Sequence, residues 1–397
     1  MLRYLTGGES HGKALTVIVD GFPAGVTLDT SLIDAELKRR QGGYGRGGRQ
    51  RIESDVVDVL AGVWHGKTLG SPVTLQVVNK DYKLERLDDI ARPRPGHADL
   101  AGAVKYGAPV RAILERASAR ETTVRVAAGA LAKLILREFG ITVFGYVLEL
   151  GGIRAEPEDL IRTPIAEEER AEGQGGSSAL AKRIAVRDAS LVYSLNPSVD
   201  PAIVQLIDDT GKDGDTLGGI VEVRVEGVPF GLGTHTQWDK KLRGRLAQAV
   251  MSVQAIWGVE FGLGFEAARR KGSAVHDPIQ FDPARVNESH LGYVRPTNNA
   301  GGLEGGMTNG QPIILRAAKK PISTLRKPLE SINLTTKLPE AAEYERSDVC
   351  AVPAASVIVE NVVAFEIAAA FVEKFGGDSL DEMRGRYELF ITSARAR

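Results

Sequence analysis

Residues 39–51 read Arg-Arg-Gln-Gly-Gly-Tyr-Gly-Arg-Gly-Gly-Arg-Gln-Arg, five arginines and five glycines in thirteen positions. Whatever fold the chain takes must hold this stretch as a loop. Glycines admit positive φ and let the backbone approach a ligand closely. Arginines supply planar, permanently charged forks that fit carboxylates and phosphates two bonds at a time. Together they describe a flexible cationic lid over something small and multiply anionic; the plain alternative is a solvated basic loop. Gly43-Tyr44-Gly45-Arg46-Gly47-Gly48 also satisfies the glycine pattern of a dinucleotide fingerprint. That pattern works between a strand and a helix whose N-terminus holds the pyrophosphate, and here the order is reversed. Residues 29–40 carry Asp29 or Thr30 as N-cap and Leu32, Ile33 and Leu37 on one face, which predicts a helix before the glycines. Residues 52–60 carry a valine cluster, which predicts a strand after them. The dinucleotide reading fails on this context. An RNA-binding Arg-Gly box fails too, since such boxes are repeated and this stretch occurs once between two ordered elements.

Two strands, 2–6 and 14–20, are predicted around Gly7-Gly8-Glu9-Ser10-His11-Gly12-Lys13. A loop histidine is ordinarily solvated, but glycine, serine and lysine beside His11 suit proton transfer or phosphate contact. Residues 61–68 match a relaxed phosphate-loop pattern, yet Leu69-Gly70-Ser71-Pro72 and a strand-like run at 73–78 follow where a helix should start. This is read as a β-turn-β connection. In Arg92-Pro93-Arg94-Pro95-Gly96-His97-Ala98-Asp99 the prolines stiffen the chain and place His97 just before a helix at 99–106. Two histidines in glycine- and arginine-rich loops make a candidate acid/base pair. Arg116-Ala117-Ser118 opens onto a long helix at 122–139, either as a phosphate seat or as an ordinary cap. A strand at 141–150, an acidic insertion at 156–174, two helices within 178–213 and a strand at 218–225 follow. Then come a helix at 239–256 with Gln254-Ala255 near its end, a strand at 312–316, an apolar helix at 355–375 and a last helix capped by Asp378. Lys319-Lys320-Pro321-Ile322-Ser323-Thr324 offers a cation and two hydroxyls. The succession predicts an α+β fold, helices packed over mostly antiparallel sheet, as one domain over 1–397 with no repeat in the sequence.

The chain carries 50 basic and 51 acidic residues, so any cationic site is local and a general nucleic-acid binder is disfavoured. Cys350 is the only cysteine, which rules out an internal disulfide and suggests a reducing compartment. The N-terminal residues hold no signal-peptide core, and Glu360, Asn361 and Glu366 interrupt the apolar run at 357–371. A cytoplasmic protein without membrane attachment is expected. Glycine is high, 45 residues, or about 11% against an average near 7%, and gathers in loops shaped for a ligand. There is no metal-ligand spacing and no nucleophile elbow; His65, His235, His276 and His290 sit in no ligand-like pattern.

Eight motifs, taken in order, resemble the chorismate synthase family. They are Gly8-Glu9-Ser10-His11-Gly12, Gly43-Tyr44-Gly45-Arg46-Gly47, Arg94-Pro95-Gly96-His97-Ala98-Asp99 and Arg116-Ala117-Ser118-Ala119-Arg120-Glu121-Thr122, followed by Asp213-Gly214-Asp215-Thr216-Leu217-Gly218-Gly219, the 301–310 loop, 320–324 and Arg346-Ser347-Asp348-Val349. The resemblance implies a shikimate-pathway lyase that makes chorismate from 5-enolpyruvylshikimate 3-phosphate by 1,4-anti elimination of phosphate. It implies reduced FMN as cofactor, a β-α-β sandwich and a homotetramer. Carried over by motif, the flavin contacts are Arg116, Ala117, Ser118, Gln254, Ala255, Gly305, Lys320, Pro321, Ile322, Ser323, Thr324 and Arg346. Arg40 and Arg46 match NADP positions and are also expected to clamp substrate, with Arg49, Arg94 and Arg120 as further substrate contacts. His11 is expected to protonate the departing phosphate, His97 to support flavin protonation and Asp348 to assist removal of the C6 proton. Ala117 stands where some members have serine, and the segment between Val78 and Arg92 is short. With no added reductase domain evident, an external flavin reductase is expected, NADPH being the other possible route to reduced flavin.

Overall fold

The computed structural model describes residues 1–48, 53–155, 178–345 and 347–397. Alternating apolar and polar residues build two antiparallel sheets. The first joins β1 (Arg3–Gly7), β2 (Ala14–Asp20), β3 (Asp58–Ala61) and β4 (Val73–Val78) in the order β1-β2-β4-β3. The second joins β5 (Thr142–Leu150), β6 (Gly219–Glu226), β7 (Ile256–Phe261) and β8 (Ile313–Lys319) in the order β7-β8-β6-β5, with the short strand Ile153–Arg154 outside β5. Each sheet has an apolar inner face, built by every second residue: Leu15, Val17 and Val19 on β2, and Ile313, Leu315 and Ala317 on β8, are fully buried.

The helices Thr30–Gln41, Thr122–Arg137, Leu242–Met251 and Val352–Phe375 fill the space between those faces, while Ser178–Ala189 packs on Phe144, Tyr146 and Leu148 of the second sheet's other face. The described helices are α1 (Thr30–Gln41), α2 (Asp99–Tyr106), α3 (Val110–Ala117), α4 (Thr122–Arg137), α5 (Ser178–Ala189), α6 (Asp200–Lys212), α7 (Leu242–Met251), α8 (Val352–Phe375) and α9 (Leu380–Arg395). α4 touches strands of both sheets, and α8 lies along α4 and over β5 and β6. A helix enclosed on all sides must be apolar all round, and α4 is buried at every position from Thr122 to Leu136. The two cross at Gly129, where a Cβ would come within 2.1 Å of the Asn361 carbonyl. α8 is long and apolar enough to cross a membrane, but 94% of its most apolar window is buried inside this core.

The chain does contain a repeat, contrary to the reading from sequence. Gly21-Phe22-Pro23-Ala24-Gly25-Val26 returns as Gly227-Val228-Pro229-Phe230-Gly231-Leu232. Gly62-Val63-Trp64-His65-Gly66-Lys67-Thr68-Leu69-Gly70-Ser71-Pro72-Val73 returns as Gly302-Leu303-Glu304-Gly305-Gly306-Met307-Thr308-Asn309-Gly310-Gln311-Pro312-Ile313. The strands beside them pair in the same register: Leu15 opposite Val77 and Val17 opposite Leu75 in one sheet, Val221 opposite Ala317 and Val223 opposite Leu315 in the other. Thr68 Oγ1 donates to the Pro23 carbonyl at 2.6 Å and accepts from Val26 N–H at 3.0 Å. Thr308 Oγ1 does the same with Pro229 at 2.6 Å and Leu232 at 2.9 Å. Each half is thus β-β-α-β-β-α, and the helices of both form the middle layer.

Several expected boundaries move. The helix expected over 239–256 is a 3-10 turn, Trp238–Lys240, then α7; Ala255 has φ +67 and β7 begins at Ile256. Gln254 and Ala255 therefore lie in a turn. The strand expected over 52–60 pairs only as Asp58–Ala61, and α8 starts at Val352. Ser379, whose side chain accepts from Glu382 N–H, caps α9 in place of Asp378. The acidic insertion lies outside the described residues.

Candidate active site

Between the halves lies a cavity of about 760 Å3, within the range of small-ligand sites. The first half contributes Ser10 and His11 from the β1–β2 turn, Arg40 and Arg46 from the end of α1 and the Arg/Gly loop, and Arg94 and His97. The second contributes Gln254, Ala255, Lys319, Lys320, Pro321, Ile322, Ser323, Thr324 and Asp348. Ala117, Ser118 and Arg120 line it from the turn between α3 and α4.

The His11 turn is closed by Asn79, whose Nδ2 donates to the carbonyls of Glu9, Ser10 and Gly12 at 3.2, 3.3 and 2.8 Å. Glu115 of α3 accepts twice from His11, from the backbone N–H at 2.7 Å and from Nδ1 at 2.9 Å. Burial raises the Glu115 pKa, yet the His11 hydrogen bonds and the Arg111 charge outweigh it and hold the carboxyl below its ordinary range. An ionised carboxylate only accepts, so Nδ1 carries its proton toward Glu115 and Nε2 faces the other way, 3.9 Å from Asp81 Oδ2. His97 is held likewise, its Nδ1 2.5 Å from Asp99 Oδ1. Burial raises the Asp99 pKa as well, but hydrogen bonds from His97 and Arg94 drive it well below the ordinary carboxylate range.

Asp348 meets the Arg/Gly loop directly. Its Oδ2 lies 2.9 Å from Arg46 Nη1 and its Oδ1 accepts from Gly47 N–H at 2.6 Å. Arg40 donates to Thr122 Oγ1 and the Ala119 carbonyl, both at 3.0 Å. Arg120 grips both oxygens of Asp55 at 2.7 and 2.8 Å and Asn79 Oδ1 at 2.9 Å, so most of it is spent on the fold. Arg94 bonds Thr324 Oγ1 at 2.9 Å and Asp99 at 2.8 Å, a strut across the cavity mouth. Lys320 Nζ donates to the Gly96 carbonyl and stands 5.0 Å from the Trp257 ring centroid. Thr216 Oγ1 donates to the Ile322 carbonyl at 2.7 Å. Four buried guanidinium nitrogens at this wall, Arg40 Nη1, Arg46 Nε, Arg111 Nη1 and Arg120 Nη2, make no hydrogen bond among the described residues, although Arg40 Nη1 lies 3.5 Å from Asp55 and Arg120 Nη2 3.6 Å from Glu53. Such donors suit anionic oxygens.

Not every expected residue arrives. Arg116 braces the end of β1, donating to Thr6 Oγ1 at 2.7 Å and the Gly8 carbonyl at 3.1 Å, and does not line the cavity. Gly305 occupies the turn of the Leu303–Glu304/Met307–Thr308 hairpin, beside His235 and off the cavity wall. Arg49 and Arg346 lie outside the described residues. Conversely, Glu115, Asp81, Asn79 and Trp257 carry no expectation from sequence, and Lys319 opens the 319–324 motif without being among the expected site residues.

The profile of the chorismate synthase family matches residues 2–372. The chain belongs to that family. A chorismate synthase of Geobacter metallireducens is 53% identical over 410 aligned positions that cover all of both chains. One from Geobacillus kaustophilus is 51% identical over 98% of each. A crystal structure of a chorismate synthase superposes with a TM-score of 0.79 at 40% identity, covering 100% of this chain and 99% of that one. The α+β fold expected from sequence is the fold of this chorismate synthase family member.

Proposed function

We propose that the chain catalyses the reaction for which its family is named, conversion of 5-enolpyruvylshikimate 3-phosphate to chorismate with loss of phosphate. One observation carries the reading at residue level: His11, His97, Asp348 and the cations of both halves converge on a single cavity. The substrate bears two carboxylates and a phosphate; the arginines at this wall are ion-paired within the protein, but each keeps an N–H without a hydrogen bond that suits such oxygens. His11 keeps Nδ1–H on Glu115 and delivers a proton from Nε2 to the departing phosphate. Asp348, oriented by Arg46 and Gly47 N–H, assists removal of the C6 proton. Arg40 and Arg46 bind and position the substrate, and Arg94 and Arg120 hold the walls that do so.

Reduced FMN fits the same cavity. Ser118 and Thr324 offer hydroxyls, 320–324 and Gln254-Ala255 offer backbone groups, and Gln254 Oε1 is buried without a partner among the described residues. When bound, the flavin supplies an electron and recovers it, so the reaction has no net redox change. His97, with Nδ1 fixed on Asp99, holds a proton toward the flavin. Reduction is external, by a separate flavin reductase, with Arg40 and Arg46 as the NADPH contacts if the chain accepts that reductant. We further read the protein as one cytoplasmic domain assembled as a homotetramer. Support for assembly comes from Leu5 and Ile18, cross-strand partners on the outer face of the first sheet, exposed at 76% and 44%. The test is anaerobic phosphate release from the substrate with dithionite-reduced FMN and without reductant. Release only with reduced flavin, matched by equal chorismate, is expected; no release in either case overturns the reading.

A further inference from the structure

In both sheets the inner-face alternation ends on a polar residue at the same repeat position. On β4 the buried Val73, Leu75 and Val77 are followed by Asn79, and on β8 the buried Ile313, Leu315 and Ala317 are followed by Lys319. Asn79 is 4% exposed and Lys319 8%. Asn79 spends its side chain on the protein, three carbonyls of the His11 turn and Arg120 Nε. Lys319 does not. Its ammonium has three N–H donors and makes one hydrogen bond among the described residues, to the Lys320 carbonyl at 3.2 Å. No carboxylate among the described residues pairs with it. The neighbouring cations are already held: Arg46 by Asp348, Arg94 by Asp99, Arg111 by Glu345, Arg120 by Asp55, Lys83 by Asp81. A buried ammonium without a partner is costly, and a methionine would fill this inner-face position without that cost.

We propose that Lys319 is a ligand-binding residue of the cavity, donating to an anionic oxygen of the bound substrate or of the flavin. This rests on the functional reading above. Among the described residues, four groups act on the ammonium by their charge: Cys350 and Asp348 from the segment before α8, Arg46 from the Arg/Gly loop, and Lys320 next in the chain. Burial lowers its pKa to about 8; Cys350 and Asp348 oppose that shift, and Arg46 and Lys320 add to it. The cation is therefore present at neutral pH and lost as pH rises past that value, unless a bound anion retains it.

Lys319→Met and Lys319→Arg test the assignment, with three measurements at pH about 7 and about 9.5: the unfolding midpoint, the Kd of dithionite-reduced FMN, and KM for 5-enolpyruvylshikimate 3-phosphate. Lys319→Met should be at least as stable as the parent. It should weaken one of the two ligand constants about tenfold at neutral pH, and which one identifies the source of the oxygen. The parent should lose the same affinity at the higher pH, whereas Lys319→Arg, which cannot deprotonate, should keep it. Unchanged Kd and KM in Lys319→Met, or a lowered midpoint marking the lysine as structural, would overturn the inference. A parent protein that releases no phosphate with reduced FMN sinks the functional reading instead, and the FMN titration then decides Lys319 by itself.

Discussion

Glu115 takes two N–H groups from one histidine, and a glutamine in its place accepts only one. Glu115→Gln should therefore free the His11 ring to turn and lower kcat by about ten- to hundredfold with a smaller change in KM. Imidazole 15N shifts provide the check that a merely structural role would not move: the His11 Nδ1–H signature, assigned by its loss in His11→Asn, should weaken in the variant. An unchanged tautomer with unchanged kcat would leave Glu115 as packing only. Asp99 makes a second prediction, in stability. Its folded pKa lies below the ordinary 3.8, so its contribution is complete above that value and is lost as pH falls below it. Urea unfolding midpoints should drop as pH falls below about 4 in the parent. Asp99→Asn should start lower and drop less; an equal drop in both would show that other carboxylates carry the acid sensitivity. His11, His97 and Asp348 could be picked out from sequence because each stands in a loop marked by glycine, proline or arginine. Their partners could not. Glu115 lies 104 positions from His11 on a helix, and nothing local separates it from the other acidic residues of the chain.

Four elements meet at Glu360, in the middle of α8. Lys133 of α4 lies 2.5 Å from Oε1, Arg39 of α1 3.0 Å from Oε2, Arg187 of α5 3.4 Å from Oε2, and the β5 amide of Gly145 donates to Oε2 at 2.8 Å. Burial alone would raise the Glu360 pKa, but the three cations drive it far below the ordinary carboxylate range. Glu36 also pairs with Lys133 at 3.2 Å and Arg39 at 2.8 Å, and Asp188 with Arg187 at 2.9 Å, so removing Glu360 leaves a buried cluster of three cations one carboxylate short. Glu360→Gln should cost about 3–5 kcal/mol in urea unfolding, whereas a loss below about 1 kcal/mol would mean that water reaches the cluster. Arg39 also begins the Arg/Gly loop, so the same cluster anchors the lid at its helical end. Elements were legible where period and caps agreed: β2, β4 and α2 fall where alternation and turn residues place them. Residues 239–256 show the opposite case. Leu242, Leu246 and Val250 keep helical spacing, and nothing in the sequence announces that Lys241 is extended or that Ala255 takes positive φ. The tertiary setting decides both, since the Lys320 amide bonds the Ala255 carbonyl at 2.9 Å.

The repeat explains why one cavity draws on both ends of the chain. Two β-β-α-β-β-α halves face each other across α4 and α8, and the ligand-facing loops of each open at their junction. It was hard to read because the matching segments are short, are separated by loops of different length, and share a glycine and proline skeleton more than side chains. Thr68 and Thr308 give it a quantitative test. Each hydroxyl is buried and satisfies one carbonyl and one amide, so valine leaves two buried backbone groups unpaired. The cost should be on the order of 2–4 kcal/mol at either site. If the halves fold as one cooperative unit, as a shared helical core argues, Thr68→Val and Thr308→Val lower the same transition by similar amounts. Calorimetry should then show a single endotherm in the parent and in both variants, shifted equally and restored equally by ligand. An endotherm that splits in either variant would mean that each sheet unfolds with its own helices. The cavity would then be an interface between two domains, and substrate binding would have to supply the coupling that the core does not.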